Sequence, residues 1–204
     1  SRSREWKANV HVTGYFYFDF DDSSYQPPNE LQTFLDSGAK PICVSFGSMV
    51  NRDAKRIDEV IRESLKQAHH RGIILSGWGG VDQSSSKDLL YLESAPHDWL
   101  LPRCKMVIHH GGAGTTSAGL HAGIPNIVVP FTADQPFWGR RVNAIGAGPK
   151  PILVKNLTVE RLTGAIVEAE SPAAGERAQF ARRRIRSEDG VSRAVELIES
   201  HVQN

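Results

Sequence analysis

The chain has 204 residues, 40% of them hydrophobic and 23% charged, with a formal net charge of +1. That length suits one sizeable α/β domain, and the composition excludes global disorder. A balance so near neutrality excludes a general electrostatic attraction to nucleic acid or to an anionic membrane.

No apolar run approaches the roughly 20 residues that a membrane-spanning helix needs, and the opening residues are not expected to act as a signal peptide. Cys43 and Cys104 lie in or beside apolar runs. This predicts buried free thiols in a reducing, cytoplasmic setting, ahead of a disulfide or a metal site.

In chain order, residues 9–24 (NVHVTGYFYFDFDDSS) join a β-prone aromatic stretch to an acidic, serine-rich break. DFDD (Asp19–Asp22) looks superficially like a DxD metal motif, but its place in an arm away from any strand end makes it a solvated turn. YQPPNELQTFLDSG predicts an extended Pro-Pro segment, a short helix over 30–35 and a stop at Gly38. PICVSF (41–46) is strand-like. Ile57, Val60, Ile61, Leu65 and Ala68 then form one stripe of a helix over 53–70, ended by Gly72. Strands are predicted at 72–76, 89–94, 105–109, 126–130 and 151–154, and helices after the glycines at 111–114 and over 135–145, 158–170 and 173–187. A last helix after Gly190 carries Val191, Val195, Ile198 and Val202 at helical spacing. The basic run Arg182–Arg184 with Arg186 stands beside acidic residues and is expected to be a solvated face. Short apolar strands alternating with amphipathic helices predict a Rossmann-like α/β fold, a doubly wound and mostly parallel sheet covered on both sides.

In such a sheet, ligands bind beyond the carboxyl ends of the strands. HHGGAGTTSAGLHAG (109–123) falls there, after KMVIH. Its glycines let backbone approach a ligand closely, and the start of the next helix offers unpaired N–H groups and a positive dipole end to a phosphate. A tight strand–helix turn with a plain cap is the bland alternative. The loop is neither a P-loop, since it lacks the GK[ST] lysine, nor a GxGxxG fingerprint. Three other loops occupy equivalent positions: VSFGSM with Gly47 and Ser48, ESAPHDWL with Pro96 and His97, and PFTADQPF with Asp134 and Gln135. An Asp–Gln pair suits sugar hydroxyls, the carboxylate accepting and the amide doing both. A helix N-cap is the competing role for Asp134. Together the four loops point to a nucleotide-sugar cleft.

HHGGAGTT, AGIPNIVVPFTADQ and APHDWL, with VTGYFYFD, ELQTFLDSG, VSFGSM and ILSGWGG, resemble GT-B nucleotide-sugar glycosyltransferases. The likeness is to the sterol 3-β-glucosyltransferase and glycopeptide-antibiotic glycosyltransferase branch. It implies that His109, Gly112, Gly114, Thr115 and Ser48 meet the donor diphosphate. Ala95 would hold uracil through its main chain, His97 would lie near the ribose, and Asp134 and Gln135 would bind the transferred hexose. The plant form of this box has a base-stacking tryptophan where this chain has Ser94, and a ribose-binding glutamate where it has Ser117. Trp78 is expected either to supply an aromatic wall or to pack in the core. The resemblance further implies residues 1–24 as an interdomain linker or arm and 25–204 as the C-terminal donor-binding half of a GT-B fold. The acceptor domain and the catalytic base would belong to an N-terminal half absent from the sequence. The expected activity is inverting, metal-independent hexosyl transfer from a UDP-sugar, with UDP-glucose the expected donor, to a lipid, sterol-like or small-molecule hydroxyl. No cofactor is expected, and this half alone is expected to be inactive. Any membrane contact would come through the other half. A non-catalytic nucleotide-binding Rossmann module is the alternative.

Overall fold

The structure, a computed structural model, describes residues 7, 9–16, 25–46, 53–75 and 84–202. Ser48, Trp78 and the DFDD segment lie outside the described residues.

Five strands form a parallel sheet in the order β3-β2-β1-β4-β5. They are β1 (Ile42–Ser45), β2 (Gly72–Leu75), β3 (Leu89–Leu92), β4 (Met106–His109) and β5 (Asn126–Val128). The strands are mostly apolar without polar alternation, and apart from Leu89 every strand residue is buried, as a sheet covered on both faces requires. The helices are α1 (Asn29–Asp36), α2 (Ala54–Gln67), α3 (His97–Leu100), α4 (Ala113–Ala122), α5 (Gln135–Ala144), α6 (Val159–Ala169), α7 (Pro172–Arg186) and α8 (Gly190–Val202).

The period of two in each strand divides the core. Ile42, Val44, Met106, Ile108 and Ile127 face α2 and α6, meeting Ile61, Leu65, Leu162 and Ile166. Cys43, Ile73, Leu90 and Val107 face the other way, onto Leu31 and Phe34 of α1, Trp99 and Leu100 of α3, and Ala118 of α4. Both cysteines are free and buried. The fold is therefore the doubly wound α/β arrangement that the sequence predicts. Among the described residues no helix is long and apolar enough to cross a membrane.

Three predicted elements differ. Residues 151–153 form no strand, although Ile152 N donates to Val128 O at 3.0 Å and Val154 N to Pro130 O at 3.1 Å. The reciprocal bond of a parallel ladder would need an N–H at position 130, and proline has none. The second helix stops at Gln67, not at Gly72: His69 takes a φ of 56° and turns the chain, while Gly72 opens β2. The aromatic stretch 9–16 makes no strand. Its Tyr15 instead packs on the start of α8, where a Cβ on Gly190 would lie 2.3 Å from Tyr15 O.

Candidate functional site

The strand order reverses between β1 and β4, leaving a crevice where the following loops diverge to opposite faces. Register sets Ser45 beside His109, and His109 beside Val128, in one row at the carboxyl end.

His109 shares its side of β4 with Val107, the side covered by α4, and is fully buried. Its Nδ1 accepts from Gly111 N at 3.1 Å, so the ring proton sits on Nε2 and is donated to Asn126 Oδ1 at 3.0 Å. Asn126 in turn donates to Ile124 O at 2.9 Å. Gly119 makes room for this chain, since a Cβ there would lie 2.3 Å from Asn126 Oδ1. Burial, reinforced by the neighbouring His110, depresses the His109 pKa to about 3. Both ring nitrogens are committed inside the protein. The diphosphate contact expected of His109 is thus not open to it; its imidazole holds the loop from behind. Gly111, at a φ of 91°, makes the turn this requires, and a Cβ there would press within 2.9 Å of Gln135 O.

His110 is the imidazole at the crevice. It is half-buried, and its ring lies over Gly112, where a Cβ would come within 2.5 Å of Nε2. Nδ1 is buried and has no hydrogen-bond partner among the described residues. Burial lowers its pKa, opposed by the Ser45 backbone and the Asp134 carboxylate. His110 therefore stands among the ends of β1 and β4 and the start of α5 as a neutral donor. The family resemblance points to His109 and not to this residue. The available signal was strand alternation, which turns residue 109 under α4 and releases residue 110.

Gly112 is the N-cap of α4, with no side-chain cap bond. Thr116 N is the first amide to reach back, to Gly112 O at 2.9 Å, so the amides before it have no intrahelical acceptor. The Thr116 hydroxyl also bonds Gly112 O at 2.9 Å, which leaves half-buried Thr115 as the hydroxyl of the first turn nearer solvent. A Cβ on Gly114 meets nothing within 4 Å. Among the described residues, nothing therefore covers position 114 at the helix start.

From β3, the loop through half-buried Ala95 crosses the end of β2 and brings His97 to β1. There His97 Nε2 shares a 3.1 Å hydrogen bond with Ser45 Oγ. Burial lowers the His97 pKa, against Asp98 and with a further contribution from His110. On the opposite rim, Asp134 takes the N-cap position of α5 but makes no cap bond. Its Oδ2 accepts from Trp138 Nε1 at 2.8 Å. Gln135 is buried, and its Oε1 accepts from Phe131 N at 2.7 Å and Thr132 N at 3.0 Å. Its amide is thus left to donate only, not to do both.

A groove of about 630 Å³, lined by Arg62, Lys66, His70 and Asp88 among others, opens beside the start of β3. It lies at the other end of the strands from the crevice.

Residues 88–189, half of the chain, match the family described as "Erythromycin biosynthesis protein CIII-like, C-terminal domain". The chain belongs to this family. It is a glycosyltransferase C-terminal domain of the GT-B type. Across 98% of its length this EryCIII-like domain is 43% identical to the sterol 3-beta-glucosyltransferase UGT80A2 of Arabidopsis thaliana, covering 32% of that protein. It is 35% identical to the sterol 3-beta-glucosyltransferase of Saccharomyces cerevisiae, covering 98% of this chain and 17% of the yeast protein. The domain thus spans about a third or less of the length of these relatives. Among solved structures, the glycosyltransferase of kitacinnamycin superposes with a TM-score of 0.70 at 27% identity, over 86% of this chain and 45% of that one. The calicheamicin glycosyltransferase CalG4 shares the fold at a TM-score of 0.68 and 23% identity, over 88% and 46% of the two chains.

Proposed function

We propose that this domain binds the diphosphate and hexose of a UDP-sugar, UDP-glucose in particular, for an inverting and metal-independent transfer to a sterol-like hydroxyl. The observation that carries the reading is the uncapped start of α4 at the β1/β4 crevice, with His110 beside it. Helix amides and a neutral imidazole donate to a pyrophosphate without a counter-ion, and they meet the charge that grows as the leaving group departs. Thr115 and Gly114 would lie against the phosphates, Ala95 and His97 on the nucleoside side, and Asp134 and Gln135 on the hexose. In the whole protein a base outside this domain takes the acceptor hydroxyl proton. The hydroxyl oxygen attacks the anomeric carbon from one face, and the bond to the β-phosphate oxygen breaks on the other, its electron pair leaving with UDP. The sterol-like acceptor is suggested by the names of the plant and yeast relatives.

Calorimetric titration with UDP and UDP-glucose, with and without a chelator, tests this. Binding of both, unaltered by chelator, is expected. His110→Ala and Gly114→Val should each weaken UDP by about tenfold or more, the loss of one or two charge-assisted bonds. The valine meets nothing among the described residues, so the fold should survive. Unchanged UDP affinity in both variants would remove the proposal.

A further inference from the structure

The rim that carries Asp134 has a feature that neither the family nor the relatives' names explain. An aspartate at an N-cap ordinarily turns its carboxylate back onto the first amides of its own helix. Asp134 does not: the α5 cap makes no side-chain bond, and Oδ2 is held at 2.8 Å by the indole N–H of Trp138, four residues on. That spacing places the two side chains on one helix face, one turn apart. Trp138 is braced in turn by the edge of Phe137, with centroids 5.3 Å apart and planes at 77°. Both Asp134 and Phe137 are exposed.

From this geometry we propose that Trp138 is a positioning residue for hexose recognition, its indole N–H holding the Asp134 carboxylate outward so that Oδ1 meets a sugar hydroxyl. The inference rests on the donor-binding reading above and deepens it. A short exposed carboxylate samples several rotamers, and ordering one of them on binding would cost affinity. The indole removes that freedom beforehand and occupies one of the two carboxylate oxygens. With Gln135 left only its amide donors by the loop amides on Oε1, the rim offers the sugar one fixed acceptor and one fixed donor. A sugar would be selected for a hydroxyl that donates to Asp134 beside one that accepts from Gln135.

The test uses the chain itself, with UDP and UDP-glucose as probes in parallel titrations. Trp138→Phe keeps an aromatic ring against Phe137 and, with some loss of ring area, removes the N–H donor. It should weaken UDP-glucose by roughly five- to tenfold, the scale of one bond to a charged group, and leave UDP unaltered. Asp134→Asn should show the same split. The double variant should bind UDP-glucose no more weakly than Asp134→Asn alone, since the indole acts only through the carboxylate. A Trp138→Phe protein with wild-type affinity for UDP-glucose, or one that loses UDP in equal measure, overturns the inference. So does a double variant whose losses add. Failure of the wild-type chain to take up UDP sinks the donor-binding reading and this inference together, and is told apart by that arm alone.

Discussion

At the scale of single residues, the paired histidines divide two tasks that the sequence presents as one. His109 is a structural imidazole and His110 faces the crevice, because alternation along β4 sends adjacent side chains opposite ways. The division has a pH signature. A pKa near 3 in the folded protein, against an ordinary value near 6.5, means that the unfolded chain takes up a proton the native one refuses. His109 therefore costs no stability above pH 6.5. It erodes stability as pH falls from there towards 3, by up to about 1.4 kcal/mol per pH unit. Urea unfolding of the wild type and His109→Gln between pH 4 and 7 checks this. The wild-type advantage should shrink with acid, and parallel curves would contradict it.

At the scale of elements, three helices end in the same way with different residues. In α4 and α5 the turn residues are Gly123 and Gly146, with φ of 75° and 76°. The next amides, Ile124 N and Ala147 N, reach back to Gly119 O and Val142 O at 3.2 and 3.1 Å. In α2 the equivalent bond runs from His70 N to Leu65 O at 2.9 Å, and exposed His69 takes the left-handed turn. A side chain in that conformation costs about 1 kcal/mol, and with histidine at the turn this helix end carries no glycine signal in the sequence. Opposite effects follow from exchanging the residue types. His69→Gly should stabilise by a few tenths to about 1 kcal/mol, the gain offset partly by a looser unfolded chain, and Gly146→Ala should destabilise by about 1 kcal/mol. Denaturant midpoints at constant slope are the measurement. The missing sixth strand is the same lesson in a ladder: PILV has strand composition, but its partner position is Pro130.

Across the whole molecule, the core is concentrated around the sheet and thins towards α8. Leu162 and Ile166 of α6 are fully buried, whereas the stripe on α8 is exposed, with Ile198 at 63% and Val202 at 80%. Helical spacing of apolar residues predicted α8 correctly, but it carries no information about what covers the face. Leu162→Ala should cost about 2–5 kcal/mol, and Ile198→Lys should stay within about 0.5 kcal/mol. Thermal unfolding of the two variants separates a core helix from one that contributes little to this domain's stability.

The order and type of the core elements were set by local pattern: apolar runs four residues long, stripes at helical spacing, and glycine punctuation between them. These depend on neighbours a few residues apart, so a single sequence carries them, and the doubly wound class with them. The motif residues 109–115 and 134–135 were legible as a strand-end constellation for the same reason. Which atoms face the crevice was not. That Gln135 Oε1 is tied to its own loop, that Asp134 leans on Trp138 and that His97 reaches Ser45 are matters of direction between side chains whose chain segments meet only after folding. Burial and hydrogen-bond saturation decide such directions, and both are properties of the packed molecule.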